Sequence, residues 1–219
     1  MRTAILIPVK QLSAAKQRLA LCLSATERAE LAAAMMADVF AAASQVSSTA
    51  GIFVVTSDEF ASALAGRCGW QVLHEEQQTS ESDSVDRASL ELVARGFAAA
   101  LRLPADIPLV QPADIEELIA AAPDKPGCVI VPSRDGTGTN ALLRTPPHLF
   151  ASHFGPGSFR LHLAAAAQRG AEIRVIRNPR LELDVDDEAD FHTLLAAGLA
   201  AGQTQAWFEQ RGVARHSSR

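Results

Sequence analysis

The run Ala4-Ile5-Leu6-Ile7-Pro8-Val9 is apolar at every position. A strand with one wet face shows every second residue to water. This one has no residue to show, so it reads as a central parallel strand covered on both faces by helices. The rest of the chain continues that pattern. Ser24-Ala25-Thr26-Glu27 matches a capping box, and Leu31, Met35 and Val39 then recur every four residues, which predicts a helix of about four turns. Gly51 to Val55 reads as a second strand, Glu59 to Gly66 as a short helix and Trp70 to Leu73 as a strand. The polar stretch Glu75 to Asp86 has no apolar period and reads as a loop before an Ala/Leu-rich helix ending near Ala100. Leu101 to Leu103 is a strand remnant, Pro112 to Ala121 a helix, and Cys128 to Val131 and Ala141 to Arg144 are strands. Ser158 to Arg169 is a helix, Ile173 to Ile176 the last strand, and a closing helix runs from Glu188 to about Ala200. Strand and helix alternate, so the expected fold class is α/β with a mostly parallel, Rossmann-like sheet.

At 219 residues with 48% hydrophobic content the chain can bury one full core, and a single α/β domain is expected over residues 1–210. Residues 211–219 are polar and read as a flexible tail. Trp207 and Phe208 are expected to pack that end of the chain onto the domain. The 20 Lys and Arg residues against 25 Asp and Glu give a net charge of −5, which argues against nucleic acid as a partner. Cys22, Cys68 and Cys128 are widely spaced without a C-x-x-C pair, so they read as reduced, mostly buried thiols. The apolar start is too short for a membrane span and lacks signal-peptide flanks, so no membrane partner and a cytoplasmic location are expected. No interface stripe stands out, which leaves a homodimer open.

In open α/β sheets ligands sit beyond the carboxyl ends of strands, and the unusual residues of this chain fall at such ends. Lys10, Lys16 and Arg18 follow the first strand in PVKQLSAAKQRL, where three cations suit a polyphosphate. Equally, they suit a solvated helix start. There is no Walker pattern G-x-x-x-x-G-K-[ST], so a P-loop is excluded. Asp106 sits between prolines in LPADIPLV, and Asp184 and Asp186 alternate after the last strand. Separated carboxylates meeting above a sheet make a seat for Mg²⁺, a hard ion that takes oxygen ligands and bridges to phosphates. Asp186 or Asp187 could instead simply cap the closing helix. Two loops rich in glycine and hydroxyls follow in quick succession, RDGTGTNAL (Arg134 to Leu142) and FGPGSFRLH (Phe154 to His162). Their glycines let backbone N–H groups close around an anion, and Ser158 is placed to cap the next helix. The first is also a good hairpin signal, through Asp135-Gly136. His148, His153 and His162 show no metal spacing and read as structural.

These stretches together resemble the 2-phospho-L-lactate guanylyltransferase family of coenzyme F-420 biosynthesis. IPVKQLSAAKQRLA, LPADIPLV, SRDGTGTNAL, FGPGSF and LELDVDDEADF occur in the same order. The resemblance implies a single-domain nucleotide-diphospho-sugar transferase fold. It implies transfer of GMP from GTP to the phosphate of a three-carbon phospho-acid, with Mg²⁺ and release of pyrophosphate. Thr139, Gly155 and Ser158 match the positions for the acid, and Asp106 matches the acidic turn associated with the metal, with Asp184 and Asp186 as further candidate ligands. Lys10, Lys16 and Arg18 match the part facing the triphosphate, with Lys16, Arg18 and Asp106 expected to serve catalysis. At Ser82-Asp83-Ser84-Val85-Asp86 the chain departs from a Gly-Leu-Asn-like segment of the family. That loop is suited to contact the base or ribose, with Ser84 as the expected nucleotide contact. The alternatives are another nucleotidyltransferase of the same fold, one using CTP or building a guanylylated molybdenum cofactor, and a non-catalytic sensor of phosphorylated metabolites. The acids 2-phospho-L-lactate, phosphoenolpyruvate and 3-phospho-D-glycerate differ by a few atoms, and the residues alone do not separate them.

Overall fold

The computed structural model describes residues 1–75, 79–199 and 201–212. The expected tail therefore lies almost wholly outside the described residues. The chain builds a seven-stranded sheet in the order β3-β2-β1-β4-β6-β5-β7. Its strands are β1 (Thr3–Val9), β2 (Gly51–Thr56), β3 (Gln71–His74), β4 (Ala99–Arg102), β5 (Gly127–Pro132), β6 (Thr139–Thr145) and β7 (Glu172–Val175). β1 pairs in parallel with β2 and β4, β2 with β3, and β5 with β7. β6 runs antiparallel to both of its neighbours, β4 and β5. All the strands but β6 thus point the same way, and β6 begins at the edge where the others end.

Every residue of β1 is buried, as its apolar run demands. Ile5, Ile7 and Val9 join one core with Met36, Val39 and Phe40 of α1 (Ala25–Ala43) and Ile115 and Leu118 of α4 (Pro112–Ala120). Ala4 and Leu6 face the other side, with Val85, Ala88 and Leu92 of α3 (Glu81–Ala94). The capping box at the start of α1 is present, with Ser24 and Glu27 exchanging bonds. Each fully buried Val, Leu, Ile, Phe or Met side chain in these cores contributes about 1.5–3 kcal/mol.

Four expectations are corrected. The stretch expected as a loop up to Asp86 already turns helical at Glu81, because the Ser80 side chain accepts from the Asp83 N–H. Glu76 to Gln78, within the same expected loop, lie outside the described residues. The helix α5 (Ser158–Gln168) is capped by Gly157 in the left-handed region, with Ser158 as its first helical residue instead of its cap. Cys22 and Cys68 are exposed, and of the three thiols only Cys128 is buried, since Cys22 follows a short surface turn and Cys68 ends α2 (Glu59–Arg67). Finally, the helix expected to end near Ala100 stops at Ala94, and Ala99 already opens β4. After a turn of helix α6 (Pro179–Glu182), α7 (Glu188–Ala197) begins at Glu188 as expected, with Asp187 as its cap in a capping box with Asp190.

A further helix, α8 (Gln203–Gln210), lays Trp207 and Phe208 against Leu31 and Met35 on the second apolar side of α1. Asp38 of α1 accepts from the N–H groups of Gln203 and Thr204 and so supplies the N-terminal cap of α8 from another helix. Among the described residues no helix is long and apolar enough to cross a membrane.

Candidate functional site

The segments after β1, β4 and β7, together with the β5–β6 hairpin, meet over the edge where the parallel strands end. A backbone bond from Val185 N–H to the Asp106 carbonyl, 3.2 Å, joins the acidic turn after β4 to the acidic strip before α7. Lys16 closes the group. Its backbone is left-handed, with φ of 53°, a conformation that costs a non-glycine residue about 1 kcal/mol. Its ammonium lies 2.5 Å from Asp106 Oδ2 and 2.9 Å from Asp186 Oδ1, and its side chain is 7% exposed. Burial alone would favour a neutral amine. The two carboxylates outweigh it and raise the Lys16 pKa, so the group is charged. Burial likewise works against ionised Asp106, but the attraction of Lys16 prevails and holds that carboxyl below its usual range.

Asp184 is the member left short of positive charge. Burial, with Asp106 and Asp186 nearby, pushes its carboxyl up to about 6, against a hydrogen bond from Asn140 Nδ2 at 3.0 Å. Among the described residues no three acidic, imidazole or thiol groups already stand as a metal cluster. Asp106 and Asp186 are spanned by the Lys16 ammonium instead.

Asn140 links this acidic group to the glycine-bearing loops. The hairpin loop is held by Asp135, which accepts from Ser133 Oγ, the Thr137 N–H and Thr137 Oγ1, and these bonds lower its pKa to about 2. The Phe159 N–H donates to the Thr137 carbonyl and ties the loop to the start of α5. At the hairpin's far end Thr139 Oγ1 lies 2.9 Å from His162 Nδ1. His162 Nε2 accepts from the His153 N–H at 2.8 Å, so the proton of the neutral ring is on Nδ1 and is donated to Thr139. Burial, reinforced by Arg144, lowers the His162 pKa to about 3 and keeps it in that form. The hydroxyl hydrogen of Thr139 is then free to point at a ligand. Ser158, one helical turn before His162, is buried, and its hydroxyl oxygen lies 3.9 Å from where a Cβ on Gly138 would stand. Gly155 is exposed with φ of +123°, which only glycine adopts readily.

Of the residues singled out from the sequence, Lys16, Asp106, Asp184 and Asp186 are thus brought together, and so are Thr139 and Ser158, with Asn140 between the two groups. Lys10 is exposed, with its ammonium 3.7 Å from Glu81. Arg18 is exposed on a short 3-10 turn and makes no ion pair among the described residues. Ser84 does not join either group. It is buried within α3, where it donates to the Ser80 carbonyl at 2.9 Å. It lines a separate groove of about 630 Å³ with Val55, Leu73, His74 and Arg87. Two residues that touch these groups were not singled out from the sequence: Asn140, which bonds Asp184, and Arg102, which donates to the Asn140 carbonyl at 2.5 Å. Asn140 lay in a quoted motif without an assigned role. Arg102 showed one signal, a lone charge at the end of the otherwise apolar β4.

Comparison with known proteins follows the same lines. A family model described as guanylyl transferase, CofC like, matches residues 3–213. A phosphoenolpyruvate guanylyltransferase of Rubrobacter xylanophilus is 36% identical over 192 residues, 88% of this chain and 93% of that protein. A 2-phospho-L-lactate guanylyltransferase of Methanothermobacter thermautotrophicus is 32% identical over 198 residues, covering 90% and 86%. Among solved structures, one from Desulfovibrio desulfuricans, assigned to the nucleotide-diphospho-sugar transferases, superposes with a TM-score of 0.79 at 14% identity, over 97% of this chain and 96% of that one. A nucleotidyl transferase from Methanothermobacter thermautotrophicus gives 0.60 at 16% identity, covering 96% and 99%. The chain has the nucleotide-diphospho-sugar transferase fold, and it belongs to the CofC-like guanylyl transferase family of nucleotidyltransferases.

Proposed function

We propose that this enzyme transfers GMP from GTP to the phosphate of a three-carbon phospho-acid, releasing pyrophosphate, within coenzyme F-420 biosynthesis and in the cytoplasm. The observation that carries the reading is the convergence, over one sheet edge, of a charged group around Lys16 and a neutral, hydroxyl-bearing group around Thr139. The first suits a triphosphate with a cation, the second a small acid. The names of the relatives, phosphoenolpyruvate and 2-phospho-L-lactate guanylyltransferase, supply the chemistry of the two ligands.

The acidic group fits a divalent cation by the nature of its donors. Asp106, Asp184 and Asp186 offer hard carboxylate oxygens, and burial together with the nearby Asp106 and Asp186 carboxylates raises the Asp184 pKa. Mg²⁺, when bound there, would neutralise charge on the phosphates. The other roles belong to the protein. The acceptor phosphate is already an anion near neutral pH, so no general base is needed, and positioning becomes the main task. The Thr139 hydroxyl, oriented by His162, the Gly155 backbone and Ser158 hold the acid. Lys16, Lys10 and Arg18 balance charge on the triphosphate and on the departing pyrophosphate. Ser84 contributes to the nucleotide side only through the shape of α3. Residues 1–210 act as one catalytic unit.

The test is incubation with GTP and MgCl₂ plus 2-phospho-L-lactate, phosphoenolpyruvate or 3-phospho-D-glycerate, with mass analysis of the product and parallel reactions using CTP, ATP and UTP. A guanylylated acid and stoichiometric pyrophosphate are expected. Absence of pyrophosphate with every acid, or faster transfer from CTP, would overturn the proposal.

A further inference from the structure

The acceptor set Thr139, Gly155 and Ser158 is uncharged, whereas each of the three acids carries a carboxylate in addition to its reacting phosphate. A buried cation stands beside that set. Arg102, the last residue of β4, is 8% exposed. Its guanidinium touches both glycine-bearing segments: Nη1 donates to the Asn140 carbonyl at 2.5 Å, next to Thr139, and Cζ lies 4.4 Å from the centre of the Phe154 ring, next to Gly155.

The remaining edge of the guanidinium, Nε–H with Nη2–H, is the edge that matches a carboxylate with two parallel hydrogen bonds. Here it is half used. Nη2 pairs with Glu81 Oε1, while the buried Nε has no partner among the described residues. A buried donor without an acceptor is costly, and its presence against both glycine-bearing segments points to a ligand that completes it. The other Glu81 oxygen faces Lys10 at 3.7 Å instead of turning to Nε, and the Glu81 side chain is 19% exposed. Glu81 therefore holds one donor of the fork from the solvent side.

Resting on the guanylyltransferase reading above, we infer that Arg102 binds the carboxylate of the acceptor acid through Nε and Nη2, displacing Glu81, which is the internal stand-in for that carboxylate. The pair makes the acid compete with a residue of the protein for its own site. Occupation by a substrate carboxylate releases Glu81 from the guanidinium toward solvent, on the side where it is 19% exposed.

The test uses the full chain, GTP, MgCl₂ and whichever of the three acids the wild type accepts. R102Q is expected to raise the KM for the acid about 30-fold while the KM for GTP stays within about 2-fold, with R102K intermediate because an ammonium cannot form the fork. E81Q, which weakens the stand-in without removing the guanidinium, is expected to lower the acid KM about 3-fold. The inference is overturned if R102Q leaves the acid KM unchanged, if it raises both KM values together as a general loss of structure would, or if E81Q raises the acid KM. Should R102Q not fold, the E81Q result decides alone. No transfer by the wild type onto any acid refutes the underlying reading, and this inference with it. Normal transfer with an unresponsive acid KM refutes this inference only.

Discussion

Lys16 is the residue whose replacement says most about the acidic group. Replacing it by Met keeps an unbranched side chain, the Cβ and hence the cost of the left-handed backbone, and removes the terminal ammonium with its charge and its two hydrogen bonds. In the folded protein the ammonium lies 2.5 and 2.9 Å from two carboxylate oxygens. Two unit charges about 3 Å apart attract by roughly 5–6 kcal/mol at an effective dielectric constant near 20, but burying the ammonium cancels most of that. Breaking a fully buried pair costs about 3–5 kcal/mol and an exposed one less than about 1. The Asp106 and Asp186 side chains are 29% and 47% exposed, so a loss of about 2 kcal/mol lies between those limits. For a domain of this size that is a fall in melting temperature of about 4–8 °C. The measurement is calorimetric melting of wild type and K16M without nucleotide, first in EDTA and then in millimolar MgCl₂. The deficit should appear in EDTA and close with Mg²⁺, because a divalent cation replaces the missing charge between the same carboxylates. Equal melting in EDTA, or a deficit that Mg²⁺ leaves untouched, would refute the reasoning.

Other changes follow from the same geometry. D106N removes the carboxylate shared by Lys16 and the expected cation, so turnover should fall at least about 100-fold with an unchanged circular dichroism spectrum; wild-type-like turnover would remove Asp106 from the chemistry. His162 has its pKa lowered to about 3 in the folded state against about 6.5 when unfolded. The stability that its neutrality contributes is therefore complete above pH 6.5 and is lost as pH falls toward 3. Urea unfolding between pH 6.5 and 4 should show H162Q less steep than wild type by up to about 1.4 kcal/mol per pH unit, and identical slopes would contradict the assignment. G138A would bring a Cβ within 2.9 Å of Ser133 Oγ, which accepts from the Gly138 N–H at 2.7 Å. It should cost about 1–3 kcal/mol and raise the KM for the acid without moving that for GTP, as steady-state kinetics would reveal.

Local signals made much of this molecule legible before its fold was known. The unbroken apolar run of β1 announced a strand buried on both faces, and Ser24 with Glu27 marked the start of α1, because both depend only on near neighbours in sequence. The start of α3 was missed for a related reason. Ser80 with Asp83 is as good a cap signal as Ser24 with Glu27, yet it is hidden in a polar stretch where no apolar period follows at once. Lys16 was readable as a cation at a strand end, but not as the partner of Asp106 and Asp186, which lie 90 and 170 residues further along the chain. The same holds for α8. Its cap comes from Asp38 in α1, so the sequence around Gly202 carries no capping residue of its own. Arg102 illustrates the remaining gap. A charge at the end of a buried strand is visible in sequence, whereas the half-filled edge of its guanidinium exists only once Glu81, Asn140 and Phe154 have been brought around it.

The reversed direction of β6 brings a second set of groups to one sheet edge. Because that strand starts where its neighbours finish, Thr139 and Asn140 arrive on a hairpin, residues 127–145, at the edge that Lys16 reaches from β1. On the proposed function, edits to the turn of that hairpin would reach the Thr139 contact and leave Lys16 in place, while Gly155, Ser158 and Arg102, which lie on other segments, would keep their share of the acid.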